Sequence, residues 1–174
     1  MKRTFIVILS ILLSIGAFSQ SIHSFKVKDA SGKNIDLSDF RGKKILIVNS
    51  ASSAPNSGQL AQLQELGRRY KDSGLIIIAI PSNDFNHEPK SNKDLQSITA
   101  SENFFISEKA AVKGNAISPL YKWLTQKSQN GAADMPVNDD FQKFIIDKDG
   151  KLVGIFSGKL SPLDPFFIKV LQKN

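Results

Sequence analysis

Beyond the first twenty residues, apolar positions fall into runs and periodic stretches whose spacing predicts the elements one after another. "HSFKVKDASGKNIDLSDF", residues 23 to 40, reads as two short strands joined by a turn at Ala30 to Lys33. "KILIVN", Lys44 to Asn49, is almost continuously apolar, as a strand buried on both faces requires. Leu60, Leu63, Leu66 and Tyr70 then recur at helical spacing, with Asn56 and Gln59 placed as a capping box and Gly74 as the stop. "LIIIAI", Leu75 to Ile80, is a second buried strand that Pro81 cuts off. The stretch from Ser91 to Ala100 predicts a weaker helix, and a short apolar "NFFI" follows.

Residues 117 to 125, "ISPLYKWLT", are helical with Pro119 in the first turn, where its missing N–H costs nothing. Tyr121 and Trp123 are read as anchors of that helix on a sheet, the Trp half exposed. "KSQNGAADMPVNDD" is a loop, "FQKFIID" and "KLVGIF" form a hairpin across "DKDG", and residues 162 to 172 give a closing helix. A strand–helix–strand unit followed by a hairpin and a last helix resembles the thioredoxin-like arrangement. The expected fold is therefore α/β, a central mixed β-sheet with helices on both faces and an extra N-terminal β-hairpin.

The start, "MKRTFIVILSILLSIGAFSQ", breaks from this pattern. Lys2 and Arg3 precede an apolar stretch from Phe5 to Ile15, and Ala17 and Ser19 supply small residues. That is the plan of a secretory signal peptide over residues 1–19, cleaved near Ser19 or Gln20, and shorter than the roughly 20 apolar residues of a membrane span. The domain at 20–174 is then expected to be periplasmic or secreted, without a membrane anchor after cleavage. With no cysteine in the chain, neither a lipid anchor on sulfur nor a disulfide can form. Processing removes two cations and no anion, taking the formal charge from +7 to +5. The basic residues are scattered, as at Arg41, Lys43 and Lys44 or Arg68, Arg69 and Lys71, without interleaved aromatics, and this excludes a nucleic-acid partner.

Four separated segments resemble one family, the glutathione peroxidases. "LIVNSAS" is similar to the family's "LIVNVAS", "IPSNDFNHEP" to its "FPCNQF…EP", "PLYKWL" to "PLYKYL", and "FQKFIIDKDGKLV" to "WNFTKFLIDRDGKVV". The resemblance implies a thiol or selenol peroxidase with links to oxidative stress, in which a Cys or Sec attacks the peroxide. It also implies a Gln, a Trp and an Asn that hydrogen-bond the resulting anion. On this chain the nucleophile position falls on Ala54 and the Gln position on Asp84, while the Trp and Asn positions fall on Asp139 and Asp140. Cysteines that some members use for regeneration or structure fall on Ser82 and Thr99, and the turn's glycine on Pro55. All four catalytic positions are replaced.

Peroxide reduction by that route needs a sulfur or selenium atom that accepts oxygen and is reduced back. Alanine has none, and Ser52 or Ser53 supplies only a hydroxyl. The reading that follows is a member without peroxidase activity, acting as a binding or interaction module for an unidentified protein partner, with no cofactor. An alternative stays open. If Asp84, Asp139 and Asp140 converge as the family's positions do, their mutual repulsion invites a divalent metal such as Ca²⁺ or Mg²⁺. Nearby His87 then shifts the preference toward a transition metal, with new hydrolytic chemistry in reach. A Ser–His–Asp set from Ser52 or Ser53, His87 and an aspartate is a weaker form of the same idea, since no nucleophile elbow surrounds those serines.

Overall fold

The two apolar runs that dominate the sequence lie side by side. β3 (Ile45–Ser50) and β4 (Ile76–Pro81) pair in parallel from Ile45↔Ile76 to Ser50↔Pro81, and all twelve residues are buried. The computed structural model describes residues 20–98 and 101–173; the expected signal peptide over 1–19 and Thr99 lie outside them. In chain order the elements are β1 (Lys26–Lys28), β2 (Asn34–Asp36), β3, α1 (Gln59–Arg69), β4, α2 (Asn92–Leu95) and β5 (Phe104–Ile106). They continue with α3 (Pro119–Thr125), α4 (Lys127–Asn130), β6 (Lys143–Ile146), β7 (Leu152–Phe156) and α5 (Pro165–Lys173).

One sheet runs β5-β4-β3-β6-β7, with β3, β4 and β5 parallel and β6 and β7 antiparallel, while β1 and β2 form a separate hairpin. Side chains of a strand alternate between faces, so each buried run feeds two cores. Ile45, Ile47, Ile76 and Ile78 meet Tyr121, Trp123 and Leu124 of α3 on one side. Leu46, Val48, Ile77 and Ala79 meet Leu63 and Leu66 of α1 and Phe167 and Leu171 of α5 on the other. Each such side chain contributes about 1.5–3 kcal/mol by leaving water. This is the expected thioredoxin-like α/β fold, including the extra N-terminal hairpin. Among the described residues no helix is long and apolar enough to cross a membrane.

Four local expectations are corrected. Helix α1 starts at Gln59 behind Gly58 with no side-chain cap, because Asn56 and Gln59 both turn their amides to the Gly158 carbonyl. Helix α2 keeps its Ser91–Asp94 capping box but ends at Leu95, where the Ser97 hydroxyl donates to the Asp94 carbonyl and competes with the next turn. "NFFI" becomes a third parallel strand, β5, beside β4. Trp123 is buried, not half exposed: Phe25 packs on its ring at 5.9 Å between centroids, and its indole N–H donates to the Gln20 carbonyl.

Lys143 opens β6 with no exposed surface, and its ammonium donates to the Phe141 carbonyl at 2.8 Å. Among the described residues no carboxylate forms an ion pair with it. Burial without a counter-charge drives its pKa down to about 7. Between about pH 7 and 9.5 the unfolded chain therefore holds a proton at this side chain that the folded chain has released, so stability rises with pH. Below about pH 7 both states are charged and the penalty is fully present. Above about pH 10 buried Tyr121, whose pKa is raised well above its ordinary value by burial, reverses the trend. Urea unfolding across pH 7 to 9.5 is expected to show a slope of up to about 1.4 kcal/mol per pH unit, absent in Lys143→Met. Equal slopes in both proteins would assign the lysine an ordinary pKa.

Candidate functional site

In this architecture the segment after the first core strand faces the carboxyl ends of the parallel strands, where ligands of α/β sheets sit. Here that segment is the turn from Ala51 to Gly58, and a buried carboxylate closes it. Glu88, 1% exposed, accepts from the Ser52 amide at 2.8 Å through Oε2, and from the Ser52 hydroxyl at 2.7 Å and the Lys90 amide at 3.2 Å through Oε1. The Ser53 amide donates to the His87 carbonyl at 2.9 Å. The turn is thus laced to the loop that follows β4. Ala54 packs inward with Ala51 and Phe141, its methyl group part of the α1–α5 core.

A third segment, 137–141, closes the other side. Phe141 adopts φ of 62°, its amide donates to the Asn49 carbonyl at 2.7 Å, and the Asn49 side-chain amide donates to the Asp139 carbonyl at 2.9 Å. The Gly158 turn presses on the same place: a Cβ at that position would stand 1.8 Å from the Asp140 carbonyl oxygen. Asp140 itself is fully buried. Its Oδ2 lies 2.6 Å from His87 Nδ1, and a carboxylate as acceptor places the imidazole proton on Nδ1. Oδ1 of the same group is buried without a partner among the described residues. Asn86, with φ of 61°, turns the loop so that His87 comes back to Asp140; asparagine tolerates this left-handed conformation better than most residues.

The three aspartates do not share a site. Asp84 Oδ2 accepts from the amides of Val112 and Lys113 at 2.6 and 3.1 Å and pins that loop. Asp139 Oδ1 accepts from the Asp140 amide at 2.8 Å, folded back on its own backbone. Among the described residues no group of three His, Cys, Asp or Glu side chains is placed to hold a metal ion. The metal set of Asp84, Asp139 and Asp140 is therefore not assembled, because two of the three carboxylates are spent on backbone amides. His87 neither joins such a set nor stands alone; it is the partner of Asp140. The serine hydrolase arrangement fares no better. The Ser52 hydroxyl donates to Glu88, and the amides of Ser52, Ser53 and Ala54 are all occupied, so none of these three is free to hold an oxyanion. Cavities of about 140–370 Å³ open elsewhere on the surface, and Ala54, His87 and Asp140 line none of those five.

Comparison with known proteins agrees with this geometry. The family model for glutathione peroxidase matches residues 22–125. A relative from Mesembryanthemum crystallinum, "Probable phospholipid hydroperoxide glutathione peroxidase", is 38% identical over 148 residues, 82% of this chain and 86% of its own. The glutathione peroxidase homolog BsaA of Bacillus subtilis is 35% identical over 159 residues, 88% of this chain and 99% of its own. Among solved structures, T. cruzi GPX1 superposes with a TM-score of 0.65 at 28% identity, covering 88% of this chain and 94% of that one. The chain belongs to the glutathione peroxidase family.

It is a member with no cysteine or selenocysteine anywhere in its sequence, so the family's thiol chemistry has no atom to act through and peroxidase activity is lost. Sequence reasoning missed the residues that shape the place instead: Glu88, Asn49, Gly158 and Lys143. Glu88, Asn49 and Lys143 lie in the segments "IPSNDFNHEP", "LIVNSAS" and "FQKFIIDKDGKLV", but those segments gave no hint of the contacts the three side chains make. Gly158→Ala is expected to destabilise the fold by about 2 kcal/mol or more, because backbone meets backbone there. Gly58→Ala, with nothing within 4 Å of the new Cβ, should stay within about 1 kcal/mol of the parent. Thermal melts of the two variants check this; equal midpoints would mean that the 158 turn moves aside freely.

Proposed function

We propose that this protein is an exported, non-catalytic member of its family that serves as a binding or interaction module, its former reaction centre turned into a structural junction. One observation carries the reading. Ala54, at the position that the resemblance assigns to the nucleophile, is built into the hydrophobic core, and around it Ser52 is bonded to Glu88 and His87 to Asp140. Asp84, Asp139 and Asp140, at the three assisting positions, offer carboxylate oxygens where the family chemistry asks for N–H donors, so they would repel a thiolate rather than hold it. An interaction role with a protein partner follows from what the fold retains, namely an intact scaffold and surface, and any link to oxidative stress rests on family membership. Export is supported by the sequence plan of residues 1–19.

The direct test is peroxide consumption by the isolated, metal-free protein. Hydrogen peroxide and a phospholipid hydroperoxide are each supplied with glutathione or with a reduced dithiol protein. No turnover is expected. Ala54→Cys adds the missing sulfur without its three donors, and is expected to consume at most one equivalent of peroxide. Multiple turnovers by the parent protein would overturn the reading, and turnovers by Ala54→Cys would show that the surroundings still support catalysis. Export is tested separately by the intact mass of the protein recovered outside the cytoplasm. The mass should begin at Ser19, Gln20 or Ser21, and a full-length chain retained inside the cell would refute it.

A further inference from the structure

The surface holds one cavity whose lining combines three features of a ligand site, and it is not the degenerate centre. We propose that the cavity between β1, the segment after β5 and the start of α3 binds a small amphipathic carboxylate, one aromatic ring or short alkyl chain bearing a single carboxylate group. The first feature is position. Ile80 ends the apolar run of β4 and Ser107 directly follows β5, so the cavity opens at the carboxyl ends of two parallel strands. The second is its floor, which Phe25, Val27, Ile80 and Leu120 make apolar. Its volume of about 180 Å³ compares with the roughly 150 Å³ of an apolar cavity that takes up benzene. One ring or an alkyl chain of similar size fits.

The third feature is the rim. Lys26, Lys28 and Lys109 stand around the mouth. Lys26 is already paired with Asp36 at 2.6 Å. The Lys109 ammonium is committed to the carbonyls of Glu88 and Lys90 at 3.2 and 2.9 Å. Among the described residues neither Lys28 nor Lys109 forms an ion pair. Glu108 also reaches the lining, with its Oε1 only 3.8 Å from where a Cβ on Gly32 would stand, on the hairpin-turn side of the rim. An apolar floor beside the unpaired Lys28 side chain selects for a ligand that is apolar at one end and anionic at the other. The other cavities lack this combination. The one at Tyr70 and Leu171 also carries Lys148, but it opens beside Lys44 and Leu75, at the amino ends of β3 and β4.

The processed protein is titrated with octanoate and 3-phenylpropionate, and in parallel with octanol and 3-phenylpropanol, while amide resonances are followed by NMR. Saturable shifts are expected at residues of β1, 107–110 and 118–120. The carboxylates should bind at least tenfold more tightly than the alcohols, with the difference shrinking in high salt. Lys28→Glu should weaken the carboxylates at least tenfold and leave the alcohols unchanged; its side chain sits on the exposed edge of β1, so the fold survives the change. Ala110→Phe, which fills the cavity, should abolish both. Equal affinity for acid and alcohol, shifts outside this cavity, or indifference to Lys28→Glu would each overturn the assignment. None of these outcomes bears on the loss of peroxidase activity, which rests on other residues.

Discussion

The Glu88 carboxylate has been taken out of water and given three protein donors in return, and the arrangement around the β3–α1 turn depends on it. Two of those donors come from Ser52 and one from Lys90, so a single side chain joins the ends of two adjacent parallel strands through the loops that leave them. Charge-assisted hydrogen bonds to backbone amides are among the stronger ones available to a protein. A buried carboxylate without them would be costly. The turn and the loop are consequently interdependent: each supplies what makes the other's burial tolerable.

That coupling explains how the fold outlasts its chemistry. The cores on the two faces of the sheet are built mostly from Ile, Leu, Val and Phe, and Ala54 adds a single methyl group to one of them. Replacing a nucleophile by alanine subtracts one polar group from a place already lined by Ala51 and Phe141, which a hydrophobic core accepts readily. Fold and function are thus separable here in the direct sense that different residues carry them. The scaffold's stability comes from area removed from water, whereas the lost activity required a few atoms of particular type at particular distances.

Much of this was legible in the sequence. β3 and β4 were plain because a strand buried on both faces leaves no polar position in its run, and the hairpin of β6 and β7 was plain because "DKDG" demands a turn. β5 was harder: three residues cannot display a period, and only pairing with β4 makes them a strand. The capping role assigned to Asn56 and Gln59 failed because both side-chain amides donate to the carbonyl of residue 158, about a hundred positions away, which holds them out of a capping position. The replaced catalytic positions could be located by resemblance, but their side-chain directions could not. Adjacent aspartates at 139 and 140 look equivalent in a sequence, yet one folds onto its own backbone and the other is buried against a histidine.

Asp140, at the position where the family resemblance places a neutral amide, shows what a fold does with a buried carboxylate. An asparagine offers a donor and an acceptor, whereas an aspartate carboxylate offers only acceptors, so every neighbour that formerly received its N–H must find another source. His87 answers half of the change by presenting Nδ1 to Oδ2, at the cost of holding the loop's Asn86 in a left-handed conformation. The other oxygen, Oδ1, finds no donor and stays buried. The contact of Asp140 with His87 thus sits one residue from a left-handed backbone position. In the junction that results, the His87–Asp140 hydrogen bond, the Glu88 carboxylate and backbone hydrogen bonds hold three loops together.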